Sequence, residues 1–304
     1  INADGSLSFV KTNVGKTYRV VVEPKYNFLN RNALTFEFEL TNGVNAFTHY
    51  DLKEYFADLD VNNIVIHSNI SVIVESNQLD PSGRLVNFAN VSDNNGVTGD
   101  IYTRRYTSSD IGNGNLDINL IGNYFTIDAT NMPYLSVTDG YTFGILEWTE
   151  SSGYPCASIQ TAIFKVQDAS GDAYNTGVEK EEDEIVNFNV KNLRLTGNTS
   201  TGIIYETDEE TGEPIIEDDE AQVIANQGSS SAGFMGRGAV VVSTDNVVIT
   251  NTNIGIYVTG SFGGIDTNNT YIFDSWANGV FGWRTTSMSL ENTTIRQAGG
   301  AAIC

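Results

Sequence analysis

From Gly238 to Cys304 the chain is a succession of very short apolar strands punctuated by Asn and Gly, and this run constrains the fold more than any other feature. Ala239-Val240-Val241-Val242 precedes Asn246-Val247-Val248-Ile249-Thr250-Asn251, and Gly255-Ile256-Tyr257-Val258 follows. The next unit reads Thr270-Tyr271-Ile272-Phe273-Asp274 and then Asn278-Gly279-Val280-Phe281. The third reads Ser287-Met288-Ser289-Leu290-Glu291-Asn292 and then Gly299-Gly300-Ala301-Ala302-Ile303. Aligning Gly255, Gly279 and Gly300 gives spacings of 24 and 21 residues, in the range of a solenoid repeat. Strands this short bury their apolar side only by stacking on the next coil. Asn suits the corners, because it tolerates left-handed backbone angles and can form side-chain ladders between coils.

Two other repetitive folds fit less well. An antiparallel sandwich calls for longer alternating strands and frequent Asn-Gly hairpins, and only Asn42-Gly43 and Asn278-Gly279 are present. A leucine-rich repeat requires recurrent Leu, which is scarce here. Asn, Thr, Ser and 29 Gly fill the polar balance, favouring strands and turns over helices.

The rest of the chain carries similar material in less regular order. Thr17 to Val22 is a β-branched run, and Leu34 to Leu40 alternates apolar and polar with period two. Thr48 to Leu59 is the one good helix candidate. Thr48 serves as a cap, Asp51 lies three residues on, and Tyr50, Leu52, Tyr55, Phe56 and Leu59 gather on one side. Strand patterns resume at Asn63 and continue to Val166, then at Ile185 to Leu195. Residues 1–60 are therefore expected to hold N-terminal strands and a capping helix. Residues 61–304 are expected to form a parallel β-helix with insertions near 167–184 and 199–237. The strand-like end at Cys304 suggests a helix incomplete at its C-terminal end, open to a further domain or subunit.

The units Val186 to Asn198 and Asn246 to Val258 resemble the right-handed parallel β-helix of the pectin-lyase-like superfamily. In that superfamily coils of similar length carry Asn or Gly at the turns, and a helix often caps the N-terminal end, as Thr48 to Leu59 would. The resemblance implies an all-β solenoid and names no activity. Many members cleave or bind polysaccharides, so residues suited to that chemistry are of interest. Hydrolases of this kind use clustered Asp on neighbouring coils, and Asp245, Asp266 and Asp274 are the candidates. They fall at non-equivalent points of their coils. Lyases need a basic Arg or Lys with Ca2+ or an equivalent cation, and Arg237 and Arg284 lie in suitable Gly- and Trp-flanked settings. Arg104-Arg105, Arg194 and Arg296 are further cations.

Among the polar clusters, Glu217, Asp218, Asp219 and Glu220 offer the nearest approach to a Ca2+ site, although their spacing matches no Ca2+ loop. His49 and His67 spell neither a metal site nor a triad. Cys156 and Cys304 allow one disulfide bridge and no cysteine-rich scaffold. Trp276, Trp283, Tyr257 and Tyr271, with Phe281, recur on successive coils and could stack against sugar rings.

A formal net charge of -22 disfavours nucleic acid and anionic membranes, and no apolar stretch is long enough to cross a bilayer. The expected function is attachment or carbohydrate binding by a secreted or cell-surface β-helix. The alternatives are a polysaccharide lyase or glycoside hydrolase of the β-helix type, and a structural segment of a larger surface or virion assembly.

Overall fold

The computed structural model describes residues 43–81, 83, 85–86, 99–107, 110, 116–133, 161–168, 185–198, 231–260, 262–275, 278–283, 285–298 and 301–304. It adds the backbone of four strands at 17–22, 34–39, 203–204 and 224–225. In chain order, β1 (Thr17–Val22) and β2 (Leu34–Glu39) form an antiparallel pair. Next come β3 (Val44–Ala46) and helix α1 (His49–Ala57). A first coil follows, made of β4 (Asn63–Ile66), β5 (Ile70–Ser71) and β6 (Tyr102–Arg105). The second coil comprises β7 (Asp117–Ile121), β8 (Thr126–Asp128) and β9 (Thr161–Gln167). The third begins with β10 (Val186–Lys191) and β11 (Arg194–Thr196). After a separate antiparallel pair, β12 (Ile203–Ile204) and β13 (Ile224–Ala225), it closes with β14 (Ser231–Arg237). The fourth coil is β15 (Val240–Asp245), β16 (Val248–Thr250) and β17 (Ile254–Thr259). The fifth is β18 (Gly264–Asn268), β19 (Tyr271–Phe273) and β20 (Asn278–Trp283), and β21 (Ser287–Glu291) with β22 (Thr294–Arg296) starts a sixth.

Each of the first five coils contributes one strand to each of three sheets. The first sheet runs β3-β4-β7-β10-β15-β18-β21, the second β5-β8-β11-β16-β19-β22 and the third β6-β9-β14-β17-β20. Every pairing within these sheets is parallel, and every one joins a coil to the next. Three parallel sheets stacked coil upon coil are the architecture of a parallel β-helix, as expected from the repeat of short strands.

Alternation explains how such short strands hold. In β10 and β15 every second side chain is buried, as a strand with one dry face requires. The register then builds interior columns. Ile118, Phe188, Val242, Ile265 and Met288 follow one another up the first sheet. Ile127, Leu195, Ile249, Ile272 and Ile295 do so in the second. Tyr102, Phe164, Phe234, Ile256 and Val280 do so in the third. Two pairs of threonines meet across the corner: the Thr244 and Thr270 hydroxyls lie 2.9 Å apart, and those of Thr267 and Thr293 lie 2.7 Å apart.

Asparagine makes the corners. The residues that leave the first sheet, Asn192, Asn246, Asn269 and Asn292, have φ of 51°, 55°, 46° and 44°. This left-handed region is one that Asn tolerates better than most residues. Corners after the second sheet use Asn251, Asp274 and Gln297 in the same way, with φ of 54°, 54° and 55°. Side-chain amides also run from coil to coil: Asn119 Nδ2 donates to Asn63 Oδ1 and Asn189 Nδ2 to Asn119 Oδ1, each at 3.0 Å. Asn246 Nδ2 donates to Asn192 Oδ1 at 2.8 Å.

Two features differ from the sequence reading. Val241 pairs with Gly264 and Gly264 with Ser287, so the last coils repeat every 23 residues in the first sheet. In the third sheet Gly255 is followed after 24 residues by Gly279, and the next equivalent position is Ala302, not Gly300. A glycine spacing in sequence does not by itself mark equivalent positions, so the 21-residue interval does not match the register. A Cβ on Gly255 would lie 2.6 Å from Gly279 O and 2.7 Å from Ile272 Cγ2, which is why this interior position is glycine. The second difference is β14, which occupies Ser231–Arg237 inside the expected 199–237 insertion. Its Gly233 and Gly236 face the crowded interior, beside Leu195, Ile249, Val240 and Val242. Most of the expected insertion near 167–184 lies outside the described residues.

Helix α1 forms where its pattern predicts. Thr48 is the N-cap, with Asp51 N donating to Thr48 Oγ1 at 3.2 Å and Thr48 N donating to Asp51 Oδ2 at 3.0 Å, a complete capping box. The helix packs on β6, β3 and β4, at the start of the stack. Its Leu52 and Phe56 are fully buried, and the Phe56 ring meets Phe164 and Phe188 edge-on at 5.4 and 5.5 Å. Strand β6 grips the far end of the helix through Arg104, whose side chain is completely buried. Arg104 Nε donates to Phe56 O at 2.8 Å, and Nη2 donates to Val61 O at 2.7 Å, to Tyr55 O at 3.3 Å and to Asp58 O. A cation at a helix C-terminus satisfies carbonyls that the helix cannot and opposes the negative end of its dipole.

Candidate functional site

The outward positions of the sheets carry whatever chemistry the coils present. In the second sheet, Tyr271 and Phe273 of β19 point to the same outer face, being two residues apart on a strand. Their ring centroids are 6.3 Å apart and their planes lie within 5° of each other. Tyr271 is 43% exposed and Phe273 is half-buried. The register sets Tyr271 between Val248 and Thr294, and Phe273 between Thr250 and Arg296. The neighbouring outward positions include Arg194 and the Thr196–Thr250 pair, whose hydroxyls hydrogen-bond at 3.2 Å. The result is a small aromatic shelf rimmed by hydroxyl and guanidinium groups.

On the third sheet, Phe281 and Trp283 of β20 form a second parallel pair, 6.4 Å apart and within 6°. Here the setting is different. Tyr257, 5.1 Å from Phe281, is only 7% exposed, and Phe281 is buried too. Both belong to an apolar cluster with Ala162, Ala232, Met235 and Ile254, against which Cys304 packs. Cys304 is disulfide-bonded. Cys156, the other cysteine in the chain, lies outside the described residues. Trp283 alone of this group is exposed, in register with Thr259 and Arg237 on the coils below.

The aromatic residues expected to act together thus divide between two faces. Tyr271 stands on the second sheet, while Tyr257 and Trp283 stand on the third with Tyr257 covered. Trp276 lies outside the described residues. Of the acidic candidates, Asp245 and Asp266 share the outer face of the first sheet, where Asp266 pairs in register with Ser243, two residues before Asp245. Asp245 Oδ1 accepts a hydrogen bond from Asn268 Nδ2 at 3.1 Å. Asp274 is separated from both, at the left-handed corner after β19. Arg237 ends β14 on the third sheet, and Arg284 lies outside the described residues. So do Glu217, Asp218, Asp219 and Glu220. Among the described residues no group of three or more His, Cys, Asp or Glu is placed to hold a metal ion. No helix among them is long and apolar enough to cross a membrane.

The buried setting of Lys165, Asp100 and His49 escapes the sequence reading. Lys165 and Asp100 form an ion pair at 2.7 Å with both side chains almost fully buried, and Asp100 Oδ1 also accepts from Ala162 N at 2.8 Å. His49, at the start of α1, lies with its Nδ1 2.9 Å from the Tyr102 hydroxyl. Burial holds the His49 imidazole below its ordinary pKa, with the Lys53 charge adding to the effect, and burial lowers His67 likewise. Burial also pushes the Tyr102 phenol far up. The signal for Phe273 was available, since it lies two residues from Tyr271 on one strand. The burial of Lys165 and His49 had no local signal.

No family model matches this chain, and no curated protein or solved structure matches it.

Proposed function

We propose that this chain is an extracytoplasmic attachment protein of the pectin-lyase-like, right-handed β-helix kind, which binds carbohydrate on its outer faces. The observation that carries this reading is the outward Tyr271–Phe273 pair, two parallel rings with Tyr271 exposed and Phe273 half-buried, set among Thr and Arg side chains. Sugar rings pair an apolar face with a hydroxyl edge, and such a shelf answers both. The disulfide at Cys304 supports an oxidising compartment. The high net negative charge favours neutral glycans over uronate polymers.

Titration of neutral soluble polysaccharides into the intact chain, followed by calorimetry, tests the reading. Y271A combined with F273A should weaken binding by roughly tenfold or more, about 1.4 kcal/mol, with the fold unchanged by circular dichroism. Equal binding by native chain and variant would remove the shelf from the account, and no binding by the native chain to any neutral glycan would remove carbohydrate.

A further inference from the structure

The chain has two histidines, and both lie beside α1 at the start of the stack. His49 is the first residue of the helix and is 3% exposed. Its Nδ1 faces two groups: the Tyr102 hydroxyl at 2.9 Å and the Ile73 backbone N–H at 3.4 Å. A backbone amide can only donate, so Nδ1 is the acceptor nitrogen and the ring proton is assigned to Nε2. Among the described residues Nε2 has no partner, although it is buried. The ring is therefore seated as a neutral acceptor.

Protonation puts a hydrogen on Nδ1 that faces the Ile73 N–H, obliges the Tyr102 hydroxyl to turn from donor to acceptor, and leaves the charged ring with no acceptor for Nε2–H. The surroundings give the cation little compensation. On α1, Tyr50 packs edge-on to the ring, Lys53 repels it and Asp51 is already engaged by the Phe47 and Thr48 amides. The helix N-terminus adds its positive dipole end. From β6 come Tyr102, stacked on Phe164 at 4.7 Å, and Arg104 at the opposite end of the helix. Glu75 favours the charge, and it is bound to Lys53 at 2.8 Å. The strands β3 and β4 present no titratable side chain, and His67, just beyond β4, holds Asn45 Oδ1 through Nε2 at 2.8 Å.

We propose that His49 is a proton-sensitive latch: neutral, it helps to dock α1 on the end of the β-helix, and protonated, it favours the opening of the helix that uncovers the apolar end of the stack. Leu52 and Phe56 would leave the core with it. The latch stands apart from carbohydrate binding and concerns the opposite end of the molecule from the last coil.

The sign follows from linkage. The imidazole pKa is lowered in the docked state, so docking is strongest above the ordinary histidine value of about 6.5 and weakens as pH falls below it. If the docked ring stays neutral, opening at pH 5 becomes up to roughly 30-fold more favourable than at neutral pH.

Hydrogen exchange on the intact chain at pH 7.5 and pH 5.0, corrected for intrinsic rates, reads this directly. Amides within α1, such as Leu52 N–H and Asp58 N–H, should lose ten- to thirty-fold of protection relative to those of β15 and β16. H49N puts an amide oxygen where Nδ1 stood and cannot take up a proton, so it should abolish the pH dependence. H67N should keep it. If H49N docks poorly at both pH values, NMR titration of the native His49 ring replaces it, with a midpoint below 6.5 that coincides with loss of α1 protection. An undiminished pH response in H49N, its loss in H67N, or unchanged native protection at pH 5.0 would each overturn the latch.

Discussion

Replacing Arg104 with methionine keeps the unbranched apolar stem of the side chain and removes all of its donors. In the native chain the guanidinium serves Phe56 O, Val61 O, Tyr55 O and Asp58 O, and Nη1 reaches the Tyr106 hydroxyl at 3.2 Å. Its charge also lies 5.7 Å from the centre of the Tyr106 ring. Hydrogen bonds from charged donors contribute about 1.5–3 kcal/mol each, but these share one group and are not additive. Some of the helix-end carbonyls can turn to water once the arginine is gone. The expected cost of R104M is therefore about 3–5 kcal/mol, the range seen when one side of a buried charged network is removed. In a stack where each coil meets only its neighbours, that cost stays local. Hydrogen exchange should show α1 and the first coil opening more easily by this amount, with β15 to β20 unaltered. R104K keeps the charge but replaces the planar fork with a point donor, and should recover about half of the loss. A change below about 1 kcal/mol at α1 in R104M would refute the idea that Arg104 pins the helix. So would a loss spread evenly over all coils.

Three further outcomes follow from the packing. N246A must hold φ near 55° without the Asn192 amide bond, so it should destabilise by about 1–2 kcal/mol, whereas N246G should cost less; a urea midpoint lower for glycine than for alanine would contradict the corner role. G255A places a methyl 2.6 Å from Gly279 O and should cost about 1–3 kcal/mol by the same assay, while neutral behaviour would show that the coils have slack. For the buried Lys165–Asp100 pair, K165M alone should cost about 3–5 kcal/mol and K165M/D100L distinctly less, and additive losses would mean that the two charges are not coupled.

How much of this was legible depended on whether the relevant partner lay nearby in sequence. The last coils were readable because each turn is short and has an Asn corner, so Asn246, Asn251 and Asn292 recur in step with the strands. Earlier turns carry long insertions: Asp117 and Asn187 are adjacent in the first sheet yet 70 residues apart. At that separation the strands still show their alternation, but the period disappears. β14 falls inside the expected 199–237 insertion because Gly233 and Gly236, small for the sake of interior packing, look like loop glycines. Arg104 could be seen as a cation and not as a buried one, since its partners are backbone carbonyls 43 to 49 residues away. Tyr257 shows the opposite error. Its outward position is right, but the apolar cluster on the third sheet removes it from solvent, and outwardness alone does not make a binding surface.

The central claim is that successive coils add one strand to each sheet in a fixed parallel register. Asn63, Asn119, Asn189, Ser243, Asp266 and Ser289 form one outward column on the first sheet. Pulsed electron spin resonance between a label at Asn63 and a second label at Asn189, Ser243 or Ser289 measures that column. With strands about 4.8 Å apart, the separations should rise in proportion to coil number, to roughly 10, 14 and 24 Å before the length of the labels is added. A regular increase along that series is the predicted result. Distances that do not increase from Asn189 through Ser243 to Ser289 would contradict the stacked parallel coils.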